Sequence, residues 1–239
     1  MPWREKLIIA LDVPDSEYAL ELVDKFGEQV EIYKVGLELF TSAGPKIVKE
    51  IHKRKKKVFL DLKLHDIPNT AAKAAIAAAR LGVYMFNVHA SGGLEMMKQC
   101  RDSVVELCFK ENLPKPKILG VTVLTSMSQD VLKTEIGIQH SLNTHVRHLS
   151  ALALKAGMDG VVASGHEVSK IKNHCGKGFI IATPGIRPSW HPPYDQHRTM
   201  TPKQALKEGA DYIIMGRSVL NHSDPLRAVE LISLEMLTV

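Results

Sequence analysis

The chain has 239 residues, 45% hydrophobic and 24% charged, with 16 Gly and 12 Pro. This is an ordinary globular balance that excludes a disordered chain, a collagen and a coiled coil. The formal net charge of +5 points to anionic partners, without separating a phosphorylated metabolite from nucleic acid.

Eight short apolar runs follow one another, at residues 7–11, 31–35, 58–62, 85–89, 118–124, 160–163, 178–182 and 212–215. The first stops at Asp12, too early for a secretory signal. No run approaches the roughly 18 residues a membrane span needs. Patterns of helical length separate the runs, at 16–26, 45–54, 70–81, 94–111, 142–156, 167–174, 202–208 and 225–237. The segment 70–81 is rich in Ala, the best helix former. Nearly all-apolar strands, each followed by a helix, predict a parallel sheet buried on both faces. Eight such units over residues 1–239 predict one α/β domain, a (β/α)8 barrel. A doubly wound open sheet is the alternative, but its Gly-rich turn is missing after the first run. Three cysteines, Cys100, Cys108 and Cys175, form no C-x-x-C pair. They predict free thiols and a cytoplasmic location.

A barrel places its chemistry at the C-terminal ends of its strands, and polar residues gather there: Asp12, Lys34, Asp61, Lys63, Asp66, His89, Thr125, Ser126 and the Gly216-Arg217 pair. The third unit is the most informative. Strand alternation puts Phe59, Asp61 and Lys63 on one face and Leu60, Leu62 and Leu64 on the other. A carboxylate and an ammonium then point together into the barrel mouth, with Asp66 just beyond. Buried charges need partners, so the cluster reads as a functional site or as an ion-pair network capping the strand.

Residues 184–200 hold four prolines and no period. A long stretch of that kind in a compact domain is usually a lid or binding loop, and otherwise a plain surface loop. Arg187 and Arg217 flank it, in the usual phosphate position of a barrel. Arg can hold a phosphate through parallel hydrogen bonds, and Gly216 allows close backbone approach. The basic run at residues 52–57 reads first as a solvated helix end and only second as a nucleic-acid patch. His140, His145 and His148 lack zinc-ligand spacing.

The segment Asp61-Leu62-Lys63-Leu64-His65-Asp66-Ile67-Pro68-Asn69-Thr70 resembles the signature of the orotidine 5′-phosphate decarboxylase family. Further blocks match in order along nearly the whole chain: Leu11-Asp12-Val13, Tyr33-Lys34-Val35-Gly36, Asn87-Val88-His89-Ala90, the Leu-Thr-Ser ending at Ser126, Thr183-Pro184-Gly185-Ile186-Arg187-Pro188, Asp195-Gln196-His197-Arg198 and Met215-Gly216-Arg217-Ser218. Tyr84 departs from the Asp that many members carry before the fourth strand, and residues 190–193 fall in the most variable part of the loop.

The resemblance implies decarboxylation of orotidine 5′-phosphate to UMP, the last step of UMP synthesis, with no metal and no cofactor. It implies that Lys63 lies beside the departing carboxylate and protonates C6, with Asp61 near that carboxylate. Lys34 and Asp66 would complete an alternating chain of charge that keeps Lys63 protonated. Asp12 and Lys34 would bind the ribose hydroxyls and Thr125 the pyrimidine edge. Pro184, Arg187, Gly216 and Arg217 would hold the phosphate end, and Gln196 would bridge phosphate and pyrimidine as the loop closes. Asp66, Ile67 and Thr70 would reach into a neighbouring subunit's site, so a homodimer is implied. Two rivals stand beside this reading. One is a magnesium-dependent sugar-phosphate enzyme sharing the Asp-x-Lys-x-x-Asp pattern, disfavoured by the cation Lys34. The other is a basic nucleic-acid-binding protein, for which an aromatic content of 5% leaves few stacking platforms.

Overall fold

A strand that is apolar on both faces must be covered on both, and the eight apolar runs of this sequence become the eight strands of one sheet. The computed structural model describes residues 3–190 and 199–237. Its strands are β1 (Leu7–Ala10), β2 (Ile32–Gly36), β3 (Lys57–Leu64), β4 (Met85–His89), β5 (Lys117–Val121), β6 (Gly160–Val162), β7 (Ile180–Thr183) and β8 (Tyr212–Met215). All pair in parallel, in sequence order, and β8 returns to β1 to close a barrel. The open doubly wound sheet is thereby excluded.

The described helices are α1 (Trp3–Lys6), α2 (Ser16–Phe26), α3 (Leu37–Ala43), α4 (Lys46–Lys53), α5 (Pro68–Arg80), α6 (Gly93–Glu111), α7 (Gln129–Thr134), α8 (Leu142–Lys155), α9 (Val168–Cys175), α10 (Pro202–Lys207), α11 (Arg217–Leu220) and α12 (Pro225–Leu237). Eight of them sit on the predicted segments to within a few residues. The other four, α1, α3, α7 and α11, run from 4 to 7 residues. They are too short to show a period in a window of roughly 11–18 residues.

Closure sorts the apolar side chains into two cores. Ile8, Ile32, Phe59, Met85, Leu119 and Tyr212 fill the barrel interior. A larger set, including Leu7, Val35, Leu60, Phe86, Ile118 and Ile213, packs between the sheet and the helices. Gly160 is required where β6 meets β7, since a Cβ there would lie 2.1 Å from the carbonyl oxygen of Ile180.

Two predicted features are corrected. The fifth run does not stay in the sheet to residue 124. Thr122 turns both its N–H (3.2 Å) and its hydroxyl (2.9 Å) to the Val162 carbonyl, and the chain leaves over the barrel mouth. The second correction concerns β3, which does not alternate regularly to its end. It advances from Leu60 to Leu64 while β4 advances only from Phe86 to Val88. Lys63 takes up the excess with φ of 52°, in the left-handed region that non-glycine residues seldom occupy. This is a bulge, which re-aims side chains where it occurs.

The basic run 52–57 is held locally. Lys53 pairs with Glu50 at 2.8 Å, Arg54 grips Asp24 through two bonds of 2.7 and 3.0 Å, and Lys57 meets Glu31 at 3.3 Å. Lys56 donates to the Gly27 carbonyl at 2.7 Å. These contacts stitch the α4–β3 turn to α2 and the start of β2.

Candidate active site

At the C-terminal ends of the strands lies a cavity of about 380 Å³. Its floor is the interior core, with Ala10, Phe59, Val121, Val162 and Ile214. The rim is polar: Asp12 follows β1, Lys34 comes from β2, Asp61 and Lys63 from β3, and Thr125 and Ser126 follow β5. Pro184 and Arg187 follow β7, and Gly216 and Arg217 follow β8. Residues far apart in sequence meet here because all eight strands point the same way.

Four of these side chains form one line of alternating charge. The Lys34 ammonium lies 2.8 Å from Asp12 Oδ1 and 3.3 Å from Asp61 Oδ2, and Lys63 Nζ lies 2.8 Å from Asp61 Oδ1. Lys34 is 7% exposed and Asp61 8%, so neither charge is stabilised by water. Burial by itself disfavours the Lys34 ammonium. The facing carboxylates of Asp61 and Asp12 outweigh it and raise the pKa above the ordinary lysine value. Lys34 is therefore charged throughout the neutral range. Gly36 keeps this geometry open, because a Cβ there would lie 2.9 Å from Lys34 Nζ and 3.2 Å from Asp12 Oδ1.

The structure separates the two carboxylates of the third unit. Asp66 is exposed beyond β3 and accepts from the Ile67 N–H at 2.7 Å. Among the described ion pairs none joins it to Lys63. Within one chain the second carboxylate of the cluster is Asp12, from another strand. Ile67, 66% exposed, and Thr70, also exposed, share this rim with Asp66 and do not line the cavity.

Sequence reasoning gave Asn87 no role, yet it is fully buried and bonded to two of the charged residues. Its Nδ2 donates to Asp61 Oδ1 at 2.6 Å, and its Oδ1 accepts the backbone N–H of Lys63 at 2.8 Å. The available signal was an Asn in the middle of the apolar run Met85-Phe86-Asn87-Val88, since buried amides are nearly always hydrogen-bonded. His89, two residues on, faces His65 with ring centroids 5.2 Å apart. Burial, then the neighbouring His65 and Lys63, lowers its pKa against the opposing pull of Asp61.

At the phosphate-like end, Arg187 Nη1 donates to the hydroxyl of Ser218 at 3.1 Å, which ties the seventh unit to the eighth. The long loop has a closed neck. Ile186 bridges to Met200, and the Arg187 N–H donates to the Met200 carbonyl at 3.0 Å. Gln196 lies outside the described residues. Cys100, Cys108 and Cys175 are free thiols that do not line this cavity, and burial pushes the Cys100 pKa up to about 11.

Residues 5–232 match the family model described as "Orotidine 5'-phosphate decarboxylase / HUMPS family". The chain is 52% identical over 231 residues to the orotidine 5'-phosphate decarboxylase of Saccharophagus degradans, covering 97% of this chain and 94% of that protein. It is 46% identical over 233 residues to the one of Moorella thermoacetica, covering 98% and 92%. The crystal structure of orotidine 5'-phosphate decarboxylase from Lactobacillus acidophilus superposes with a TM-score of 0.86 at 38% identity, over 97% of this chain and 99% of that one.

Proposed function

Because this chain belongs to the orotidine 5'-phosphate decarboxylase / HUMPS family, we propose that it decarboxylates orotidine 5′-phosphate to UMP in pyrimidine biosynthesis. The observation that carries the proposal is the line Asp12, Lys34, Asp61, Lys63 at the barrel mouth, facing two arginines across one cavity.

The chemistry asks for that arrangement. When the bond from C6 to the carboxylate breaks, the electron pair stays on C6 in the ring plane, where the ring cannot delocalise it, and carbon dioxide leaves. Lys63 faces the developing negative charge with an ammonium and then gives C6 its proton. Placed charge of this kind lowers a barrier only where it is better matched to the transition state than to the substrate. Asp61 holds Lys63 from below, and Lys34 holds Asp61, so the ammonium is fixed before substrate arrives. Asp12 and Lys34 take the ribose hydroxyls and Thr125 the pyrimidine edge. Pro184, Arg187, Gly216 and Arg217 take the phosphate, with Gln196 joining as the 184–200 loop closes over the substrate.

The reading needs no metal or cofactor. Both carboxylates facing the cavity, Asp12 and Asp61, are already bridged by ammonium groups, a poor cage for a divalent cation. The direct test is ultraviolet absorbance of orotidine 5′-phosphate with purified protein in EDTA, with the product identified. Conversion to UMP at an undiminished rate is expected. Activity abolished by EDTA and restored by magnesium would favour a metal-dependent sugar-phosphate chemistry.

The working unit in this proposal is a homodimer, placed in the cytoplasm. Asp66, Ile67 and Thr70 sit exposed at the rim, ready to complete a partner's site, and the apolar Ile67 is 66% exposed among the described residues. Mixing Lys63→Ala subunits with Asp66→Ala subunits is expected to restore activity, since one site per heterodimer then has both groups intact. No recovery after proven subunit exchange would sink the shared site.

A further inference from the structure

We infer that Asn87 is a positioning residue for this reaction: its amide, wedged into the β3 bulge, fixes Lys63 and Asp61 together at the cavity. The inference rests on the roles proposed above for those two residues.

An amide in a buried strand is costly unless its polar atoms are bonded. Both ends of Asn87 are spent on β3, one on the Lys63 backbone and one on the Asp61 carboxylate. The bulge makes this necessary. Between Leu60 and Leu64 the β3–β4 ladder slips, and the Lys63 N–H bonds to a side chain in place of a strand carbonyl. The left-handed backbone of Lys63 belongs to a sparsely populated region that persists only where its surroundings hold it. Asn87 is that hold.

The second bond sets the carboxylate. Asn87 Nδ2 donates to the same oxygen of Asp61 that meets Lys63 Nζ, while the other oxygen faces Lys34. Asp61 therefore cannot rotate without giving up a partner. Behind the bulge lies a second cavity of about 270 Å³, walled by β3, α5 and the α3–α4 turn. Of its lining residues Asn87 alone has a polar side chain, so no neighbour on that side can take its place.

Two variants test this. Asn87→Leu removes both bonds at similar volume. Asn87→Asp keeps the shape but brings a carboxylate against Asp61. The other titratable groups around Asp61 and Lys63 are Lys34 on β2, bonded to Asp61, and His89 on β4, which interacts with Lys63, Asp61 and His65 after β3. A like charge at contact raises the pKa of the new carboxyl. Once protonated, it can donate to Asp61 and accept from the Lys63 N–H, as the amide does.

Both variants are expected to lose about 100-fold in kcat at neutral pH, with KM and UMP affinity nearly unchanged, the cost of misplacing a reacting group by roughly 1 Å. Relative to the parent chain at each pH, Asn87→Asp alone should regain about tenfold on acidification from about pH 8 to about pH 5.5. Parental kcat in Asn87→Leu would overturn the inference, as would a flat relative pH profile in Asn87→Asp. The profile decides by itself if the Leu variant fails to fold. Lys63→Ala measured alongside separates the two readings. A kcat in Lys63→Ala within tenfold of the parent would bring down the role of Lys63 and this inference with it. An inactive Lys63→Ala beside a fully active Asn87→Leu would bring down this inference alone.

Discussion

A Lys63→Ala chain is expected to fold, to bind UMP within about tenfold of the parent, and to lose about 10⁴-fold or more in kcat, the upper end of what one positioned proton donor contributes. The loss should be this large because one nitrogen has two jobs. It supplies the charge opposite the developing carbanion and the proton that ends it, and alanine removes both. Folding should survive, because Lys63 sits on the rim and not in either core. Asp61 also keeps two partners without it, Asn87 at 2.6 Å and Lys34 at 3.3 Å. Single-turnover absorbance with saturating substrate measures the rate, and UMP titration measures the binding. Residual kcat within tenfold of the parent would remove Lys63 from the chemistry.

The second large effect is expected at the other end of the substrate. Arg217→Ala should raise KM for orotidine 5′-phosphate by about 100-fold, since charge-assisted hydrogen bonds contribute about 1.5–3 kcal/mol each. Arg217 opens α11 next to Gly216, exposed at the cavity rim, and Arg187, on the neck of the 184–200 loop, lines the same cavity. Arg187 is tied to Ser218, so removing Arg217 leaves the neighbouring cation in place. The decisive comparison uses orotidine, which lacks the phosphate. Its slow turnover should be the same in parent and variant. Equal losses on both substrates would mean that Arg217 acts on the fold or the ring and not on phosphate. A fall in kcat beyond the change in KM, seen with the phosphorylated substrate alone, would locate part of the phosphate's binding energy in the transition state.

Much of this was legible in one dimension. Eight two-sided apolar runs with helices between them leave few sheets to choose from, and the closed barrel follows. Strand ends then collect Asp12, Lys34, Asp61, Lys63, Thr125 and Arg217 on one rim, because parallel strands all finish on the same side. The order of the motif blocks identified the family, which the relatives bear out.

The remainder depended on contacts between segments. Alternation alone put Lys63 beside Asp61, but it gave no sign that β3 slips against β4, since a bulge is a property of two strands and not of one. Asp66 stands three residues after Lys63 and looked like its partner; the turn into α5 carries it outward, and Asp12 from β1 is the second carboxylate of the cluster. Asn87 looked like a strand residue within a matching block until its two bonds to β3 were seen. The sequence by itself determined that Asp12, Lys34, Asp61, Lys63, Thr125 and Arg217 reach the barrel mouth, because the order of strands and helices is written locally. Only the tertiary structure decided which of them touch, because hydrogen bonds and ion pairs form over about 3 Å, a distance that separations of 24 to 26 residues along the chain do not encode.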